Sequence, residues 1–83
     1  MVKPAALLQR LLAGQRSIAF RDFERILEAL GFVLDRIKGS HHIYTHPKLA
    51  RPFPVQPDGK EAKRYQIREL LELIEEYGLH IEA

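Results

Sequence analysis

The stretch from Phe32 to His46 reads FVLDRIKGSHHIYTH, and its two halves decide the fold. Phe32-Val33-Leu34-Asp35-Arg36-Ile37 is rich in branched and aromatic residues, which suit the pleated surface of a strand. Lys38-Gly39-Ser40 is a tight turn, since glycine accepts the backbone angles that short hairpins require. His41-His42-Ile43-Tyr44-Thr45-His46 is then a second strand. Alternation puts His41, Ile43 and Thr45 on one face and His42, Tyr44 and His46 on the other. Ile43 and Tyr44 therefore compete for the core, and the two neighbouring histidines point opposite ways.

Working outward, Pro47 to Ala50 turns the chain and Arg51-Pro52-Phe53-Pro54-Val55-Gln56 is extended. Its two prolines cannot donate to a ladder, so it is read as an edge strand. Pro57-Asp58-Gly59 is a turn, and a helix follows from about Glu61 to Tyr77, carried by Ile67, Leu70, Leu71 and Ile74 and closed by Gly78. Upstream, Phe23, Ile26, Leu27 and Leu30 recur at helical spacing, so a helix runs from about Phe20 to Leu30 and stops at Gly31. An earlier helix, Pro4 to Leu12, has proline in its first turn and an apolar stripe of Leu7, Leu8, Leu11 and Leu12. Helices outside a run of strands predict an α+β domain. Its three-stranded antiparallel sheet has helices packed on one face, and an extra helix precedes it.

The 83 residues allow one domain, with residues 1–16 read as a helical extension and 17–79 as the core. An apolar fraction of 46% with 29% charged residues excludes a mainly disordered chain. No run approaches the roughly 18 apolar residues of a membrane span, and the first residues lack the apolar stretch of a signal peptide, so a cytoplasmic location is expected. Cysteine is absent, which excludes a disulfide scaffold and a cysteine-type zinc finger. Net charge is +2 but unevenly spread: residues 1–60 carry a balance of +5 and residues 61–83 one of −3. The basic part suits a polyanion partner.

Four features carry candidate chemistry. The Gly39-Ser40-His41-His42 run is ordinary hairpin material, yet it opens a strand where a substrate backbone can approach closely. An imidazole there can accept or give a proton, which fits proton transfer at a ribose 2′-hydroxyl, and Ser40 and the turn amides can donate to phosphate. His41, His42 and His46 do not form a metal site, because the first two diverge and His42 and His46 stand about 13 Å apart along a strand. Arg36, Lys38, Lys48 and Arg51 surround the histidines; each alone reads as a solvated strand residue, and together they fit phosphate binding. Lys60, Lys63 and Arg64 oppose the dipole of the last helix; either Glu61 and solvent screen them, or an anion at its free amides removes the cost. Glu69, Glu72, Glu75 and Glu76 make the far side of that helix acidic, either plain solvated surface or a dock for a basic partner.

With these residues in view, Gly31-Phe32, Lys38-Gly39-Ser40-His41-His42-Ile43-Tyr44 and His46-Pro47 resemble the HicA family of toxin ribonucleases. Lys63-Arg64-Tyr65-Gln66-Ile67-Arg68 resembles one branch of it, and the likeness covers about Ser17 to Leu79. The resemblance implies a double-stranded-RNA-binding-like fold and cleavage of messenger RNA without the ribosome or a metal cofactor. It also implies neutralisation by a HicB-type antitoxin. It places the catalytic histidine on His41; Lys38, Gly39, Ser40, His42, Arg36, Lys48, Arg51, Lys63 and Arg64 are the candidate substrate contacts by position and charge. A single histidine does not easily serve as both base and acid, so another group or water must protonate the leaving oxygen, and position makes Ser40, Lys38 or His42 candidates. DNA binding by the chain alone and membrane association are not expected.

Two rivals share the pattern. A non-catalytic RNA-binding module of the same fold would bind RNA and leave it whole. A winged-helix DNA binder also places helices before a hairpin, but its recognition helix should be basic. Here that helix sets Asp22, Glu24 and Glu28 against Arg21 and Arg25.

Overall fold

The computed structural model describes residues 2–81. In chain order the elements are α1 (Pro4–Leu12), α2 (Phe20–Ala29), β1 (Val33–Lys38), β2 (His41–Thr45), β3 (Phe53–Val55), β4 (Pro57–Asp58), β5 (Glu61–Ala62) and α3 (Arg64–Tyr77). β1, β2 and β3 form an antiparallel sheet in that order, so the α+β architecture with a three-stranded sheet and three helices stands as expected.

The competition for the core is won by Tyr44. It is buried, and the register that pairs it with Phe53 on β3 and Leu34 on β1 fixes one face of the sheet toward the helices. His42, level with Val55 and Ile37, lies on that same inner face. Phe23, Ile26 and Leu27 of α2 and Ile67 and Leu70 of α3 pack with Tyr44, Phe53 and Val55 in one core. The stripe of α1 joins them through Leu7, Leu8 and Leu11, while Leu12 stays exposed. On the opposite face of the sheet, which carries His41, Ile43 and Thr45, the first and last are exposed and Ile43 is half-buried, and among the described residues the core helices pack on the other side.

Several boundaries differ from the sequence expectation, each for a local reason. Phe32 precedes the strand rather than opening it. Its amide donates to Leu27 O at 3.0 Å and its ring is buried, so it closes the end of α2. His46 likewise falls just beyond β2, with its ring turned back toward α2. β3 shrinks to Phe53–Val55 because its flanks are spoken for elsewhere: the Gln66 amide donates to Pro54 O and accepts from Gln56 N, both at 3.1 Å.

The chain after β3 corrects the reading most. Pro57–Asp58 and Glu61–Ala62 form a short hairpin, β4–β5, and α3 starts at Arg64 rather than Glu61. That hairpin is tied to the approach to α2, with Phe20 N donating to Lys60 O at 2.8 Å and Ala62 N to Ile18 O at 2.9 Å. Those long-range bonds compete with helix propensity and delay α3 by one turn. β1 also holds an irregularity unmarked in sequence. Leu34 pairs with Tyr44 and Arg36 with Ile43, so Asp35 is an extra, bulged residue.

Candidate active site

The site begins with the two-residue connection between β1 and β2. Lys38 pairs with His41, leaving Gly39 and Ser40 as the loop, and Gly39 takes φ 62°, as a hairpin with glycine first requires. His41 is therefore the first strand residue, exposed, beside an open turn, with Lys38 level with it across the strand pair. The next residue on the same side of β1 is Arg36, whose guanidinium meets Asp35 at 2.8 Å. Further along β2 the face continues through half-buried Ile43 and exposed Thr45, with Pro54 opposite Ile43 on β3. The surface is a shallow, basic-edged sheet face with an imidazole at its corner.

His42 is arranged differently. Its Nδ1 lies 2.6 Å from Glu24 Oε2 on α2, and the Tyr44 hydroxyl donates to the same carboxylate at 2.7 Å. The edge of Phe20 meets the His42 ring at a centroid distance of 5.2 Å. Burial raises the Tyr44 phenol far above its ordinary range, and the bond to Glu24 and the charges of Glu24 and Glu28 push it the same way. This network ties the inner face of β2 to α2. It sits on the far side of the sheet from His41.

His46 is a fully employed side chain. One ring nitrogen, Nε2, donates to Leu30 O at 2.9 Å, while Nδ1 accepts from the Lys48 amide at 3.0 Å. The pair of bonds requires the neutral ring protonated at Nε2. Phe32 stacks edge-on against it at 4.9 Å. Gly31 belongs to this arrangement: at φ 99°, a Cβ there would meet His46 Nε2 at 3.1 Å.

The candidate contacts thus divide between two ends of the sheet. Lys38, Gly39, Ser40 and His41 crown the hairpin. Because β3 runs back along β2 and leaves the sheet level with His42, the chain reaches β4, β5 and the start of α3 at that same end. Lys63 and Arg64 therefore belong to the hairpin end, at the first turn of α3. That helix has no side-chain cap, and the Lys63 ammonium lies 5.9 Å from the Tyr65 ring centroid. Lys48 follows the far end of β2. Arg51 lines a groove of about 360 Å³ with Glu69, Glu72 and Glu76, so it faces the acidic side of α3.

Glu24 is the residue sequence reasoning passed over. It counted only as a negative charge on α2, and nothing in helical periodicity distinguishes it. Its use appears once Tyr44, rather than Ile43, turns inward and brings His42 with it.

No helix among the described residues is long and apolar enough to cross a membrane. A family model described as the HicA toxin of bacterial toxin–antitoxin systems matches residues 20–76, from the start of α2 almost to the end of α3. Comparison with curated proteins and with solved structures gives no match.

Proposed function

This chain belongs to the HicA family, the toxin of a bacterial toxin–antitoxin pair, and from that premise we propose that it is a metal-independent endoribonuclease acting through His41. The observation that carries the reading is the position of His41: exposed, at the corner of an uncovered sheet face, beside a turn with no bulky side chain. Its neighbour is bound to a carboxylate on the other side.

In the proposed reaction the His41 imidazole takes the proton of a ribose 2′-hydroxyl, whose oxygen attacks the adjacent phosphorus. The bond to the 5′-oxygen breaks, leaving a cyclic phosphate and a 5′-hydroxyl strand. Lys38, level with His41, and the turn amides at Gly39 and Ser40 hold the phosphate oxygens in this reading as charge builds, which the pairing of Lys38 with His41 supports. Lys38, Ser40 or water supplies the proton to the leaving oxygen. His42 faces α2 and is assigned to holding β2 in place. One general base gives about 10²–10⁴-fold acceleration, so turnover is slow. Messenger RNA is the proposed substrate and a HicB-type antitoxin the proposed partner; the family itself implies an antitoxin in general.

The test is incubation of purified chain and its His41→Ala variant with RNA in the presence of EDTA. The wild type yields fragments, and the variant, folded by circular dichroism, yields none. Equal cleavage by both would remove His41 from the chemistry. Retardation of RNA without fragments from the wild type would make the protein a binding module.

A further inference from the structure

The two edges of the sheet are treated very differently. β3 is only three residues long, contains Pro54, follows Pro52, and has Pro54 O and Gln56 N bonded to Gln66. That edge is closed in the way sheet proteins blunt their margins. β1 is six residues long, free of proline and exposed along its whole length, and among the described residues no strand lies beyond it. It also carries Val33, Leu34 and Ile37, three of the large apolar side chains left exposed.

The bulge gives this edge an unusual property. In an uninterrupted six-residue strand, Leu34 and Ile37 would point to opposite faces. Here both lie inward, level with Tyr44 and His42, because Asp35 is inserted between them. Asp35 and Arg36, adjacent in sequence, form their ion pair on the outer side, as the two residues of a bulge do. Val33 and Lys38 are level with Thr45 and His41, so they too face outward. The order of faces along β1 is therefore out, in, out, out, in, out, which reads the same in both directions.

We propose that the chain self-associates by antiparallel pairing of β1 with β1 of a second copy, across a two-fold axis between Asp35 and Arg36. Each pair in that register matches in face and in chemistry. Leu34 meets Ile37 of the second copy on the inner side, over the groove of about 410 Å³ that both residues line beside α2. Asp35 meets Arg36 of the second copy on the outer side, and Val33 meets the stem of Lys38. Opposite-charge and apolar cross-strand pairs are the units that stabilise such a ladder. A two-fold contact needs this self-complementarity. The product is one six-stranded sheet whose uncovered faces lie on the same side, with the two His41 residues about 20 Å apart from strand spacing and rise.

The test is sedimentation equilibrium of the full chain, with folding checked by circular dichroism. The wild type sediments as a two-chain species at about 100 μM, and Asp35→Arg, which sets arginine against arginine twice, weakens association by about tenfold or more. The charge-swapped double variant, Asp35→Arg with Arg36→Asp, recovers it. Amide exchange of residues 33–38 slows with wild-type concentration. A wild type that stays monomeric up to about 1 mM overturns the proposal. So does a double variant no better than the single one, or a β1 protected only when antitoxin is added.

Discussion

Tyr44→Phe removes one oxygen from the Glu24 network and leaves the ring in the core, level with Phe53 and Leu34. A hydrogen bond to a charged group contributes about 1.5–3 kcal/mol. Glu24 keeps its bond to His42 and a margin of solvent, with 18% of its side chain exposed, so the lower part of that range, about 1.5–2 kcal/mol, is expected. For a domain of this size that is a fall in Tm of roughly 6–15 °C. The pH dependence is a second, independent signature. Burial raises the Tyr44 phenol above its unfolded value near 10, so the folded state holds its proton where the unfolded chain releases it. The associated stability is complete below pH 10 and is lost as pH rises. At pH 10.5 the wild type has given up on the order of 1 kcal/mol that the phenylalanine variant never had. Urea unfolding at pH 7 and pH 10.5 measures both quantities, and the gap between the two proteins narrows at the higher pH. A deficit below about 0.5 kcal/mol at pH 7, or a gap that widens with alkali, would refute the reasoning.

Gln66→Leu leaves Pro54 O and Gln56 N without their partner and costs about 2–3 kcal/mol in urea unfolding, with faster amide exchange at Gln56. Gly31→Ala forces a side chain into the φ 99° conformation and against His46, costing about 1–3 kcal/mol by the same assay. Leu11→Ala, buried to 2% exposure where α1 meets the core, costs about 2–5 kcal/mol. A chain beginning at residue 17, which loses the buried Leu7, Leu8 and Leu11 together, unfolds on mild heating. α1 is thus proposed to be part of the domain's core, although it lies outside the matched residues 20–76.

The three helices and the central hairpin were legible because their signals are local. Apolar spacing in α2 and α3, and Gly39 between two branched and aromatic runs, act within a few residues. The divergence of His41 and His42 was legible too, since alternation alone requires it. What sequence left open was which histidine faces out, because Ile43 and Tyr44 are both good core residues. The decision rests on Glu24, twenty residues upstream, which gives the Tyr44 hydroxyl a partner it would lack on the open face. The β4–β5 hairpin was hidden for a similar reason. It is held by bonds to Ile18 and Phe20, some forty residues away in the chain, and no window around Lys60 contains them.

The anchoring of β2 through Tyr44 also determines where the chain tolerates a change of length. A residue inserted at Gly39–Ser40 alters the turn proposed to meet the phosphate but not the faces of the strand, since Tyr44 still sets its phase and both histidines keep their sides. A residue inserted between His42 and Tyr44 is another matter: it swaps the pair, sending His41 toward Glu24 and His42 into the open. Loop length therefore leaves the faces of the strand unchanged, while the spacing from the histidines to Tyr44 behaves as a fixed phase. A library of single-residue insertions scored for toxicity would read that phase directly.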